Sequence, residues 1–226
     1  MTVPQQQSTE LSTSSLAYLF ADYITPLMPA GKRGQTAFAS GAVVNAPDLA
    51  VRLGMVAVWG LREAGIVRLE PYEAKKLMVK VHGVHAQLVS EPQRYDGIEN
   101  KVLTQWYHGG FAPAGEDVGK AFTWIPLCPS PGDVVITTAM SDAVANGFLV
   151  RVPLQRSVGA RLAGKPAHHL QPVPDRIDAL RPRAAELRDR WVRFTQTEQY
   201  LFAALEKTIA TNIHRRERSD DNDSDD

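Results

Sequence analysis

Few residues in this chain have the type and spacing to do chemistry. His82 and His85 are three apart in a stretch that alternates like a strand, so they fall on opposite faces and cannot grip one metal ion together. His168 and His169 adjoin in a proline-rich stretch, a weak pattern for a metal. His108 stands before Gly109-Gly110 and reads as a helix-end residue whose charge suits the dipole. Asp96, Glu99 and Glu116 form no recognisable acid pair. Cys128 is the one cysteine, so no internal disulfide can form, and it has no basic neighbour in Ile125-Pro126-Leu127-Cys128-Pro129. It reads as a small buried hydrophobe in a reducing compartment. Gly31-Lys32-Arg33 lacks the upstream glycine and the hydroxyl of a phosphate loop, and neither G-x-G-x-x-G nor C-x-x-C occurs. The expectation is a protein that is not an enzyme and needs neither cofactor nor metal.

What remains is charge placed for binding. Lys75, Lys76 and Lys80 crowd one short stretch, with Arg52 and Arg68 upstream. They are the candidate binding residues for an anionic surface. The chain as a whole offers no field to reinforce them. Its 226 residues carry 25 Lys and Arg against 25 Asp and Glu, a formal net charge of zero. Hydrophobic residues make up 44%, enough for a real core. No run of about 18 apolar residues is present, so no membrane span is expected. Residues 1–15 are rich in Gln, Ser and Thr and lack the pattern of a signal peptide. The protein reads as cytoplasmic, with peripheral contact to a membrane as the extension of that reading.

The elements that must position these residues follow from periodicity and stop signals. Ser14 or Ser15 caps a first helix over 16–27, and 36–44 is a short apolar element with helical character. Residues 49–64 form an apolar helix, introduced by Asn45 or Asp48 with Pro47 in its first turn and stopped by Gly65. A strand over 66–70 and a second over 77–82 make a ribbon, with a bulge or bend at Gly83 before Val84, Ala86 and Leu88. Asp96 caps a helix over 98–108. Asp133 starts another over 134–146, which Gly147 ends before a strand over 148–152. Ala64-Gly65-Ile66-Val67 and Asn146-Gly147-Phe148-Leu149 thus repeat one step, from helix through glycine to apolar strand.

From about residue 183 to 216 a single long helix is expected. Leu187, Trp191, Phe194, Leu201, Leu205 and Ile209 lie on one stripe. The stripe can pack on its own domain or pair with a partner helix as a coiled coil. Arg183, Arg188, Arg190 and Arg193 flank it. The fold class is therefore α+β, mainly α, with two helix-plus-ribbon, winged-helix-like units and a long C-terminal helix. The divisions are a disordered leader (1–13), a first unit (14–90), a second (91–152), a loop linker (153–174), the C-terminal helical segment (175–217) and an acidic disordered tail (218–226).

Several strings resemble the Golgi phosphoprotein 3 family and its bacterial relatives. They are Thr36-Ala37-Phe38, then Gly65-Ile66-Val67-Arg68-Leu69-Glu70, Lys76-Leu77-Met78-Val79-Lys80-Val81, Asp96-Gly97-Ile98-Glu99-Asn100-Lys101-Val102-Leu103 and Gly147-Phe148-Leu149. The resemblance spans roughly 15–152. It implies a mainly helical adaptor with a projecting hairpin that binds an anionic phosphoinositide head group at a membrane surface. Here it implies that Lys75, Lys76 and Lys80 sit beside an anion site. The chain departs from the family at Ala39, where an aromatic is expected, and near Gly54, where an arginine is expected and Arg52 is a neighbour. No arginine lies between Val134 and Asn146.

Two functions are weighed. The first is a non-enzymatic adaptor or assembly module that binds a protein partner or itself, with weak contacts to phospholipid head groups through the basic ribbon. The second is a winged-helix DNA-binding regulator dimerising through the C-terminal helix. Nucleic acid is the weaker of the two, because the helix over 49–64 offers only Arg52 and Arg62 to a groove.

Overall fold

The structure is a computed structural model. It describes residues 11–29, 34–76, 79–90, 95–108, 115–154 and 168–215, and the side chains of all of these except 74–82 and 108. The leader up to residue 10, the Gly31-Lys32-Arg33 turn, Gly109-Gly110, most of the linker and the acidic tail lie outside the described residues. So do the side chains of Lys75, Lys76, Lys80, His82 and His108.

Four helices build the centre. Helix α1 (Thr13–Leu19) starts earlier than its sequence suggests, because Ser12 and not Ser14 or Ser15 caps it. The Ser12 side chain accepts the Ser15 N–H at 3.2 Å, while Ser14 is engaged elsewhere. It also ends earlier, and a short 3-10 turn (Ala21–Tyr23) follows. The apolar element after it is a β-hairpin and not a helix. Strands β1 (Gln35–Thr36) and β2 (Val43–Val44) pair antiparallel, and Gly41 at φ 74 lets the chain turn between them.

Helix α2 (Ala46–Glu63) is capped by Asn45, whose side chain accepts the Asp48 N–H at 3.1 Å. It is buried almost all round, from Leu49 and Leu53 through Met55 and Val58 to Leu61. Each such side chain contributes roughly 1.5–3 kcal/mol when fully buried, so α2 is the core and not a face for a ligand. Helices α3 (Gly97–His108) and α4 (Pro131–Ala145) pack against it and against each other, and α1 packs on all three.

The helix-to-ribbon step occurs twice with the same geometry. Gly65 (φ 72) closes α2, with the Ile66 N–H on the Leu61 carbonyl at 2.9 Å. Gly147 (φ 71) closes α4, with the Phe148 N–H on the Ala143 carbonyl at 2.9 Å. A left-handed residue is needed at each position, and only glycine adopts it without penalty. The ribbons then begin in matching register. Val67 pairs with Leu88 and Leu149 with Pro172.

The first ribbon is longer than expected. Strands β3 (Val67–Lys76) and β4 (Val79–Leu88) pair without interruption, so there is no bulge at Gly83. Gly83 lies opposite Tyr72, and a Cβ there would sit 2.6 Å from the tyrosine ring. The glycine admits the ring and does not bend the strand. A third short strand, β5 (Glu116–Asp117), joins β4 and leads into a 3-10 turn (Val118–Phe122).

The second ribbon corrects the linker. Strand β6 (Leu149–Pro153) pairs with β7 (His168–Pro172), so the stretch read as a loop returns to the sheet. The long C-terminal helix is two helices. Helix α5 (Pro174–Thr197) stops at Glu198 (φ −120, ψ 44), and α6 (Gln199–His214) begins directly after it. Leu187, Trp191 and Phe194 of α5 and Leu201, Leu205 and Ile209 of α6 are all buried in the same continuous core as α1–α4.

Candidate functional site

The five basic residues singled out in the sequence do not form one site. Lys75 and Lys80 occupy a single cross-strand pair near the far end of the first ribbon, and Lys76 pairs with Val79 beside them. Arg68 is exposed near the opposite end, across from Gln87. At about 3.4 Å per residue, Arg68 and Lys75 lie roughly 24 Å apart along the strand.

Arg52 is committed elsewhere. It meets Glu206 of α6 at 2.7 Å and lies over the Phe202 ring, 4.8 Å from its centroid. It therefore fastens α6 to α2 and does not present a free cation to an anion. Two further ion pairs hold the C-terminal segment to α2, Arg62 with Glu198 at the α5–α6 break at 2.8 Å and Arg190 of α5 with Glu63 at 2.6 Å.

The stripe proposed as an interaction helix is spent inside the molecule. Trp191 meets Trp59 edge-on at 5.5 Å between centroids, and Phe194 stacks on Trp59 at 5.8 Å. Phe202 closes the cluster at 5.7 Å from both Trp191 and Phe194. Dimerisation through these residues would first have to undo the core, so the coiled-coil reading of the stripe is set aside. The sequence displays the stripe but not what it packs on, since Trp59 lies far away in the chain.

Two polar clusters escaped the sequence reading. Glu99 is 1% exposed and accepts from Ser14 twice, from the backbone N–H at 2.7 Å and from the hydroxyl at 2.5 Å. Beside it, the Ser12 hydroxyl lies 2.8 Å from both Asp142 and the Ser15 hydroxyl. Asn146 donates to the other Asp142 oxygen at 2.8 Å. Gly97 (φ 63) makes room, since a Cβ there would sit 2.8 Å from the Ser12 hydroxyl. Burial pushes the Glu99 carboxyl up to about 7, with the Asp142 charge adding to it and the Ser14 hydrogen bonds opposing it. The cluster ties the starts of α1 and α3 to the last turn of α4.

The second cluster lies on the outer face of the first ribbon. The Tyr72 hydroxyl donates to Asp117, and its ring lies 4.0 Å from that of His85. Burial, the hydrogen bond to Asp117 and the charge of Asp117 push the Tyr72 hydroxyl up to about 12. The other Asp117 oxygen accepts the Gly119 N–H at 2.7 Å. This pins β5 to the ribbon and leaves Tyr72 protonated at neutral pH, so it offers no base. Among the described residues no group of three or more His, Cys, Asp or Glu is placed to hold a metal ion.

A groove of about 730 Å³ lies on the face of α4. Asp133, Ile136, Thr137 and Met140 form one wall, with Leu170 and Pro172 of β7 alongside. The β1–β2 hairpin and Tyr18 complete it, and Tyr18 packs on Phe38 at 5.7 Å. This volume is in the range of ligand-holding clefts. No signal for the groove exists in the sequence, because its walls come from four separated segments.

These features define a mainly helical α+β protein with two ribbons. Comparison with protein-family models, with characterised proteins and with solved structures returned no match. Among the described residues no helix is long and apolar enough to cross a membrane.

Proposed function

We propose that this chain is a non-catalytic adaptor. It rests the end of its first ribbon on an anionic surface, phospholipid head groups, and offers its helical body to a protein partner. One observation carries the reading: Lys75 and Lys80 stand in a single cross-strand pair with Lys76 adjacent. Like charges directly opposite weaken a ribbon, by about 0.2–1 kcal/mol. An anionic surface turns that cost into attraction, and each lysine near such a surface contributes about 1 kcal/mol. The resemblance to the Golgi phosphoprotein 3 family points the same way. The role assigned to Arg52 is dropped, because Glu206 already pairs with it.

The test is flotation with vesicles of phosphatidylcholine containing phosphatidylserine or a phosphoinositide, at two salt concentrations. Binding is expected to fall steeply with salt. The triple variant Lys75→Glu, Lys76→Glu, Lys80→Glu is expected to lose about two orders of magnitude in affinity, from three contributions of about 1 kcal/mol each. Equal binding by the native chain and the triple variant would end the lipid reading.

A further inference from the structure

The repeated helix-to-ribbon step has a consequence for the groove on α4. Counted back from the glycine that ends each helix, Val51, Gly54, Met55 and Val58 of α2 correspond to Asp133, Ile136, Thr137 and Met140 of α4. By ribbon register, Ala86 and Leu88 of β4 correspond to Leu170 and Pro172 of β7. The groove on α4 is thus the counterpart of a groove formed by α2 and β4.

The groove on α2 is filled. Helix α6 lies in it, packed on α2, on both strands of the first ribbon and on the 3-10 turn after β5. A Cβ on Gly54 would sit 3.1 Å from Ile209 and 3.0 Å from Phe122, so the contact is close. Glu198, Glu206 and Ile213 of α6 lie by Arg62, Arg52 and Val51 of α2 in turn, so the two helices run antiparallel. Under this cover Met55 and Val58 are fully buried. On α4 the corresponding face is open in part. Asp133 and Thr137 are exposed and Met140 is half-buried, while Ile136 between them is buried.

The geometry points to a docking site for a second amphipathic helix, supplied by a partner protein, in the groove on α4. This rests on the adaptor reading and names its partner class. Its walls on α4 and β7 are the counterparts of the α2 face and β4 strand that already hold α6. The charge selects the occupant further. Asp133 is the one acidic residue among the described residues lining the groove, and no cationic side chain is among them. A helix running antiparallel to α4, as α6 does to α2, brings its last turn to Asp133. A lysine or arginine there meets that carboxylate and also complements the partner helix's own dipole. The partner helix therefore carries apolar residues at spacings of three and four, with a basic last turn.

The probe is a fluorescent, hydrocarbon-stapled peptide of the α6 sequence 199–214 with Ile213→Lys, titrated into the full chain and read by anisotropy. Saturable binding is expected. Asp133→Lys, on an exposed residue, is expected to weaken it at least tenfold, and the matching peptide with Ile213→Glu is expected to restore it. Met140→Arg is expected to weaken binding of both peptides, with circular dichroism checking that the fold is kept. The lysine-to-glutamate ribbon variant is expected to bind the peptide as the native chain does, which separates this site from the lipid surface. Three results would overturn the proposal. One is no saturable binding. Another is binding that neither Asp133→Lys nor Met140→Arg alters, which would mean displacement of α6 from its own groove. The third is a dimer that Asp133→Lys dissociates, which would place a second copy of this chain in the groove.

Discussion

The Ser14 hydroxyl donates to the Glu99 carboxylate at 2.5 Å, with both residues out of water, and so joins the first turn of α1 to the first turn of α3. Nothing in the sequence neighbourhood of either residue announces the pair. Its energetics rest on one buried carboxyl held by two donors from a single residue, with Asp142 close enough to raise it further.

Stability should therefore depend on pH through Glu99. Its folded-state value, about 7, lies above the ordinary 4.5, so the folded protein favours the protonated form. The sign follows: the stabilisation is fully present below pH 4.5 and is lost as pH rises through 7. At 1.36 kcal/mol per unit this amounts to ~3 kcal/mol. Glu99→Gln is expected to flatten this part of the profile. Urea unfolding midpoints of both proteins between pH 5 and pH 8 check it, and an unchanged slope in the variant would assign the dependence elsewhere.

The burial of the C-terminal stripe predicts the effect of removing an aromatic from it. Trp191→Ala takes away ring contacts to Trp59, Phe194 and Phe202. The cost expected for a buried aromatic is ~3–5 kcal/mol. The change should appear as a lower denaturant midpoint. Light scattering at concentrations where the protein stays folded should show the same mass as the native chain.

Gly83 and Tyr72 should be coupled. Gly83→Ala places a methyl group against the Tyr72 ring, which Asp117 holds in place. A loss of ~1–3 kcal/mol is expected. In a Tyr72→Ala background the same substitution should be nearly neutral. A double-mutant cycle by chemical denaturation measures the difference, and additive effects would contradict the packing described.

Arg52 separates a fastening role from an anion-binding one. Its partner Glu206 is about 40% exposed, with a side-chain value of 41%, so the pair itself is worth at most about 1 kcal/mol. Arg52→Met is expected to lower stability by about that amount, including the lost contact with Phe202. Vesicle flotation should be the same as for the native chain. A drop in flotation comparable to that of the lysine variants would restore Arg52 to the binding surface.

Much of the local structure is legible in the residues themselves. The stops at Gly65 and Gly147, the apolar run of α2 and the alternation of Val67 and Leu69 all follow from hydrogen bonds and periodicity within a few residues of one another. The errors have a common origin. The cap of α1 falls at Ser12, whose hydroxyl oxygen accepts the Ser15 N–H, while Ser14 lies inside the helix and donates twice to a distant glutamate. The expected bulge at Gly83 vanished because a cross-strand tyrosine uses the space. The single C-terminal helix is two because Glu198 leaves helical geometry, while the stripe on both sides of it is buried in one core.

The sequence alone thus determined the helices over 49–64, 98–108 and 134–146, the repeated helix–glycine–ribbon step and the lysine-rich stretch of the first ribbon. Those features depend on interactions between near neighbours, which a linear pattern records. Tertiary structure alone decided that the stripe from Leu187 to Ile209 is core, that Arg52 is a fastener and that Glu99 is buried beside Asp142. It also left the face of α4 open in part while the matching face of α2 is covered. Those outcomes depend on which distant surface removes each side chain from water, and proximity in space is not written in proximity along the chain.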